Sequence, residues 1–175
     1  MTSPKAGSFR RRSLTAVAAL VIASCGVGGA SSTALAASAA SAFGDLQGSW
    51  GGTGVVTYQR GTKERLRCRV QYTQAGPNDL QQALRCASDS YVFQINAYYK
   101  YSSGTLSGRW SELSMKISGT ISGDLTNGRI DGSLHGPGFL ASVKVNTTGT
   151  KQTVVIHADD QEITDVAIEV SKGGR

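Results

Sequence analysis

The side chains that could do chemistry are few and far apart. Histidine occurs only at His135 and His157, and cysteine only at Cys25, Cys68 and Cys86. There is no Cys-x-x-Cys, no His/Cys/Asp cluster at metal-ligand spacing and no Gly-x-Ser-x-Gly nucleophile elbow. Cys68 and Cys86 form an even pair, and a disulfide closing their loop of about 18 residues is worth roughly 3 kcal/mol by chain entropy. Asp159-Asp160-Gln161-Glu162 is an acidic turn without the calcium-loop pattern. No nucleophile, base or ligand set can be assembled, so the expectation is no catalytic residue, no metal and no cofactor. What remains is binding.

Two residue sets suit binding. Arg65, Arg67 and Arg69 alternate with Leu66, Cys68 and Val70. On a strand they project to one face about 7 Å apart. Such a row can meet an anionic surface, but the preferred reading is a solvated outer face paired with carboxylates on adjoining strands. The second set is aromatic. Trp50, Tyr91, Phe93, Tyr99 and Trp110 are the candidate ligand-binding residues, with Tyr101 beside them. Core packing is the safer role for most of these rings. A barrel of about eight strands is either filled by side chains or holds one small ligand.

The elements that position these residues read as antiparallel strands. From Trp50 onward the apolar period is two, and turn signals recur at short intervals. Asn127-Gly128 is a type I′ hairpin signal. It pairs Thr126 with Arg129, Leu125 with Ile130, Gly123 with Gly132, Ile121 with Leu134 and Gly119 with Gly136. The same register sets Asp124 against Asp131, a like-charge pair relieved by Arg129 and solvent. Facing glycines mean sharp sheet curvature, the preferred reading, or room for a ring or ligand. A second turn at Ser102-Ser103 sets Tyr99 opposite Leu106, Ala97 opposite Gly108 and Ile95 opposite Trp110. After Glu112 the apolar phase changes, which implies a bulge or short bend. Pro77–Leu80 suggests a helical turn. If Cys68 faces Cys86, Val70 meets Leu84. The expected fold is all-β, a single antiparallel up-and-down barrel of eight or nine strands, since an open sheet would expose long edges.

Charge and the N-terminus belong together. The chain has 18 Lys+Arg against 12 Asp+Glu, a net +6. Lys5, Arg10, Arg11 and Arg12 lie in residues 1–36, which have no acid, so the body keeps 14 against 12 and only +2. A basic start, the apolar run 14–23 and a small-residue region make residues 1–36 a secretory signal peptide ending at Ala34-Leu35-Ala36. The alternative is a lipoprotein signal, residues 1–24, with a lipid on Cys25 of Ile22-Ala23-Ser24-Cys25 and a tether over 25–42. Residues 43–175 are then the barrel domain. The soluble, A-x-A product is slightly preferred. The expected location is the bacterial periplasm or cell envelope, with membrane contact only through Cys25. The near-balanced body argues against nucleic acid. In a bacterial setting the Asn146-Thr147-Thr148 sequon is silent.

Gly48-Ser49-Trp50 opens the first strand, followed by Gly51-Gly52-Thr53-Gly54. A G-x-W there, in a small exported β-protein, resembles the calycin group of lipocalins and avidin-like proteins. The resemblance implies that Trp50 closes one barrel end and that the barrel binds a small apolar molecule, or a protein at its mouth. The group's late arginine over the Trp has no evident counterpart, because Arg175 is terminal. The leading expectation is an exported, non-catalytic binding module for a small lipophilic ligand. The alternative is a protein-interaction module, such as an inhibitor of an envelope hydrolase, acting through residues 73–80 and 158–162. The sequence sets no oligomeric state.

Overall fold

The structure, a computed structural model, describes residues 42–159 and 161–174. The expected signal-peptide cleavage site after Ala36 and the alternative lipidation at Cys25 lie outside the described residues. Ten strands follow one another: β1 Gly48–Tyr58, β2 Lys63–Gly76, β3 Asp79–Ala87, β4 Val92–Ser102, β5 Thr105–Glu112, β6 Ile117–Thr126, β7 Arg129–Gly136, β8 Phe139–Thr148, β9 Lys151–Ala158 and β10 Ile163–Lys172. Each pairs antiparallel with the next, and β10 returns to β1 to close the ring. Closure leaves no sheet edge to aggregate.

The expectation of eight or nine strands is corrected to ten. One cause is the segment after Glu112. Of the two readings there, a bulge and a short bend, the second holds, as a four-residue turn, 113–116, that separates β5 from β6. Gly, Pro and Asn are all missing from it. Lys116 takes the left-handed conformation, with φ 57°. The turn is held instead by the buried Glu112 carboxylate, which accepts the Met115 N–H at 2.5 Å and the Gln94 N–H on β4 at 2.9 Å.

The Asn127-Gly128 hairpin has the expected register from Thr126↔Arg129 to Thr120↔His135, with both turn residues at positive φ. Asp124 does face Asp131. The relief comes from Lys144 on β8, whose Nζ lies 3.9 Å from Asp131, rather than from Arg129. The second hairpin turns one residue later than expected, at Ser103-Gly104, with φ 48° and 91°. Its pairs are Tyr101↔Leu106, Tyr99↔Gly108, Ala97↔Trp110 and Ile95↔Glu112. This is a slip of two residues, so every side chain keeps its face. Pro77-Asn78 is a two-residue turn into β3, not a helical turn.

Cys68 and Cys86 are directly opposite on β2 and β3 and form the disulfide, with Val70↔Leu84 beside it. Inward residues of β2 (Leu66, Cys68, Val70, Tyr72) are all buried, and the arginines between them are exposed.

The two ends of the barrel differ. The turns 77–78, 103–104, 127–128 and 149–150 gather at one end. There the segment before β1 folds back in a turn, with the Leu46 N–H donating to Phe43 O. Phe43 and Leu46 pack with Trp50, Tyr72, Leu80, Leu106 and Leu125 in a single buried cluster. This end is closed. Trp50 is 1% exposed, donates Nε1–H to Leu46 O at 2.7 Å and meets Tyr72 edge-on. Lys172 lies over its ring, with Nζ 5.7 Å from the centroid. A lysine on the last strand thus takes the place where a late arginine was sought.

Candidate functional site

The second apolar cluster is packed incompletely. It holds four buried residues, Ala97, Trp110, Ile121 and Val143, against eight half-buried ones, including Ile95, Ile117, Leu134 and Ile156. Ile95, Ile117, Leu134 and Phe139 lie toward the end formed by turns 113–116 and 137–138. Ten strands make a wider barrel than the eight that side chains just fill. Inward-facing aliphatic area therefore stays accessible on this side, between β4 and β9.

The aromatic rings explain why the space is not filled. Three of them stand directly across from a glycine on the neighbouring strand: Tyr99↔Gly108, Trp110↔Gly119 and Phe139↔Gly136. A Cβ at Gly119 would meet the Trp110 ring at 2.8 Å and the His135 backbone, and one at Gly136 would strike the Phe139 ring. Each ring lies over its glycine, the cross-strand arrangement that shields a bare backbone. Trp110 and Phe139 touch, with centroids 5.9 Å apart, and Trp110 Nε1–H donates to Thr120 O at 3.2 Å. Close approach of a ring is thus observed at Gly119 and Gly136. At Gly123 and Gly132, which face each other, an added Cβ would meet the opposite backbone, so those positions serve curvature.

Polar groups enter the interior in pairs. Tyr99 Oη donates to Gln82 Oε1 at 2.7 Å, and Tyr72 Oη to Gln152 Oε1 at 2.8 Å. Gln152 is 2% exposed and donates on to Thr147 Oγ1. Burial pushes both phenols far up, so they remain protonated donors. Toward the end that carries the turns 59–62 and 88–91, Tyr91 Oη and Glu64 Oε2 are shielded from solvent and have no hydrogen-bond partner among the described residues. Glu64 Oε1 accepts from Ser90 Oγ at 2.7 Å, tying the β3–β4 turn to β2.

The candidate ligand residues do not form one group. Tyr99 and Trp110 belong to the incompletely packed cluster. Tyr91 and Phe93 meet edge-on at 4.4 Å, near the half-open end. Trp50 is sealed in the closed end. Phe139, Ile117, Leu134 and Ile156 were not among the candidates, although Phe139 stood in a legible alternation. Arg65, Arg67 and Arg69 lie on the outer face, across from Val55, Thr53 and Gly51 of β1. The expected carboxylate pairing is corrected: among the described residues no carboxylate is within ion-pair distance of them. His157 lies outside on β9, its Nδ1 2.7 Å from Asp165 and its Nε2 3.2 Å from Asp159.

No protein-family model and no curated protein matches the sequence. Among solved structures the chain is similar to Rv2717c from M. tuberculosis, with TM-score 0.60 and 16% identity over 75% of this chain and 94% of that one. It is also similar to the S-type phycobiliprotein lyase CPES from Guillardia theta, with TM-score 0.51 and 12% identity over 74% and 88%. These likenesses show the fold alone, a closed antiparallel β-barrel, and assign no family.

Proposed function

We propose that this barrel is an exported, non-catalytic binding module that holds a small lipophilic molecule in its half-open end. The observation that carries the reading is the set of accessible inward aliphatics, Ile95, Ile117, Leu134 and Ile156, beside three rings laid against glycines. Water against such a surface is unfavourable, and an apolar ligand gains roughly 25 cal/mol for each Å² it covers. Tyr91 Oη and Glu64 Oε2 supply the few polar contacts that orient a ligand in a mostly apolar pocket. Leu113, Met115 and Leu140 are exposed in or beside turns at the same end, an apolar rim for entry.

Native mass spectrometry of the protein isolated from its own host tests the reading. A bound mass that organic solvent releases is expected. Protein that is ligand-free and takes up no added long-chain alcohol overturns it. The same spectrum reads the mature N-terminus, separating cleavage after Ala36 from a lipid on Cys25.

A further inference from the structure

We infer that the outer face of β2–β5 is a second binding site, a groove that receives a strand of acidic polysaccharide. Its outward side chains are distinct from those of the lipophilic site, although Ala97 and Trp110 of the interior cluster also border the larger depression, so the two sites are tested with different ligands.

The groove is made by one small side chain. On the outward register Ala83 of β3 lies between Gln71 of β2 and Asn96 of β4. Two depressions of about 580 and 360 Å³ share these three residues and together run across the face. Arg69 and Arg85 line the smaller one, and Arg109 the larger.

The charges here lack the usual compensation. Arg69 and Arg85 are directly opposite on β2 and β3, and Arg67 and Arg65 continue the row. Like charges facing across a ladder are destabilising. Lys144 beside Asp131 shows the remedy used elsewhere on the same barrel. Among the described residues no acid comes within ion-pair distance of these arginines. The anion that would pair with them comes from outside the chain, and the planar guanidinium fork suits a carboxylate.

The remaining lining selects the kind of anion. Gln81, Thr73, Ser111 and Ser118 offer amides and hydroxyls, the chemistry that meets sugar hydroxyls. A nucleic-acid strand wants aromatic platforms for its bases. The outward register of the groove holds one aromatic, Tyr98, and so lacks the run of platforms on which successive bases would stack. A bilayer meets a flat or convex face, whereas a trough admits a single chain.

Titration of the intact protein with oligogalacturonate, followed by backbone-amide NMR, tests this. Expected are shifts confined to β2–β5 and the adjoining Ser49 and Ser118, binding that weakens as salt rises, and far weaker binding of a neutral glucan of equal length. Ala83→Trp fills the trough without changing charge, and the double variant Arg69→Ala/Arg85→Ala removes the facing pair. Each should weaken binding about tenfold or more while a thermal melt shows the fold retained. A third readout needs no variant, since shifts away from β2–β5 and the adjoining Ser49 and Ser118 overturn the proposal. So does an absence of binding at low salt. Equal binding to phosphatidylglycerol vesicles or single-stranded DNA, indifferent to Ala83→Trp, also overturns it and leaves only unspecific attraction.

Discussion

The rings of Trp110 and Phe139 meet 5.9 Å apart at a tilt of 42°, each lying over the glycine directly across from it. Two large side chains are thereby laid on or beside the wall instead of filling the interior. Tyr99 repeats the arrangement over Gly108, where an added Cβ would come within 3.1 Å of the ring. In all three pairs the glycine lets a ring lie close against the neighbouring strand.

Gly119→Val should therefore be costly. The new side chain meets the His135 backbone on one side and the Trp110 ring on the other. Overpacking of this kind costs about 1–3 kcal/mol, and backbone displacement adds to it. Urea unfolding should show a lower midpoint with an unchanged slope. Wild-type stability in this variant would mean that the strands are less closely apposed.

Much of this was legible in the residues, and the failures have physical causes. Alternation marked inward and outward faces wherever one face is apolar, as in Leu66–Tyr72 and Phe139–Val145. Asn127-Gly128 set its hairpin because a type I′ turn needs two positive φ values. The Ser103-Gly104 hairpin was misplaced because Ser102-Ser103-Gly104 offers more than one position for a turn. A slip of two leaves the hydrophobic pattern intact, so patterning could not correct it. The seating of Tyr99 over Gly108 separates the two registers, a signal present in the sequence. The 113–116 turn has no such signal, because a carboxylate across the turn holds it. The site was only half visible. Aromatic residues could be identified, and the G-x-W resemblance placed Trp50 at a closed end, but which rings faced a glycine depended on register and closure.

Glu112 makes that turn sensitive to acid. Burial works to raise its pKa, but hydrogen bonds from the Gln94 and Met115 N–H groups and from Ser114 outweigh it and hold the group below its ordinary value of 4.5. A carboxylate with a depressed folded pKa adds stability above its unfolded value, and this is lost as pH falls through the folded one. Glu112→Ala should lose about 1–3 kcal/mol at neutral pH, because it strands two backbone donors. The variant's stability should also fall less steeply in acid. Parallel acid profiles for variant and wild type would contradict the assignment.

His157 should behave in the opposite sense. Its hydrogen bond to Asp165, then that to Asp159, raises its pKa above the ordinary 6.5. The charged pairs stabilise the fold below the unfolded value, and the contribution fades as pH rises through the folded pKa. The side chains are exposed, so the effect on stability is small and weakens with salt. An NMR titration of the imidazole should show the raised pKa, and Asp165→Asn should lower it. A pKa indifferent to Asp165→Asn would break the pairing.

The most direct test of the central claim is a fluorescence titration with the neutral apolar dye N-phenyl-1-naphthylamine. One saturable site is expected, with a Kd on the order of micromolar. Leu134→Trp, which adds bulk among the accessible aliphatics, should weaken it about tenfold, whereas Ala83→Trp on the outer face should leave it unchanged. A dye that finds no site in the folded protein, or binds Leu134→Trp as tightly as wild type, would contradict the account.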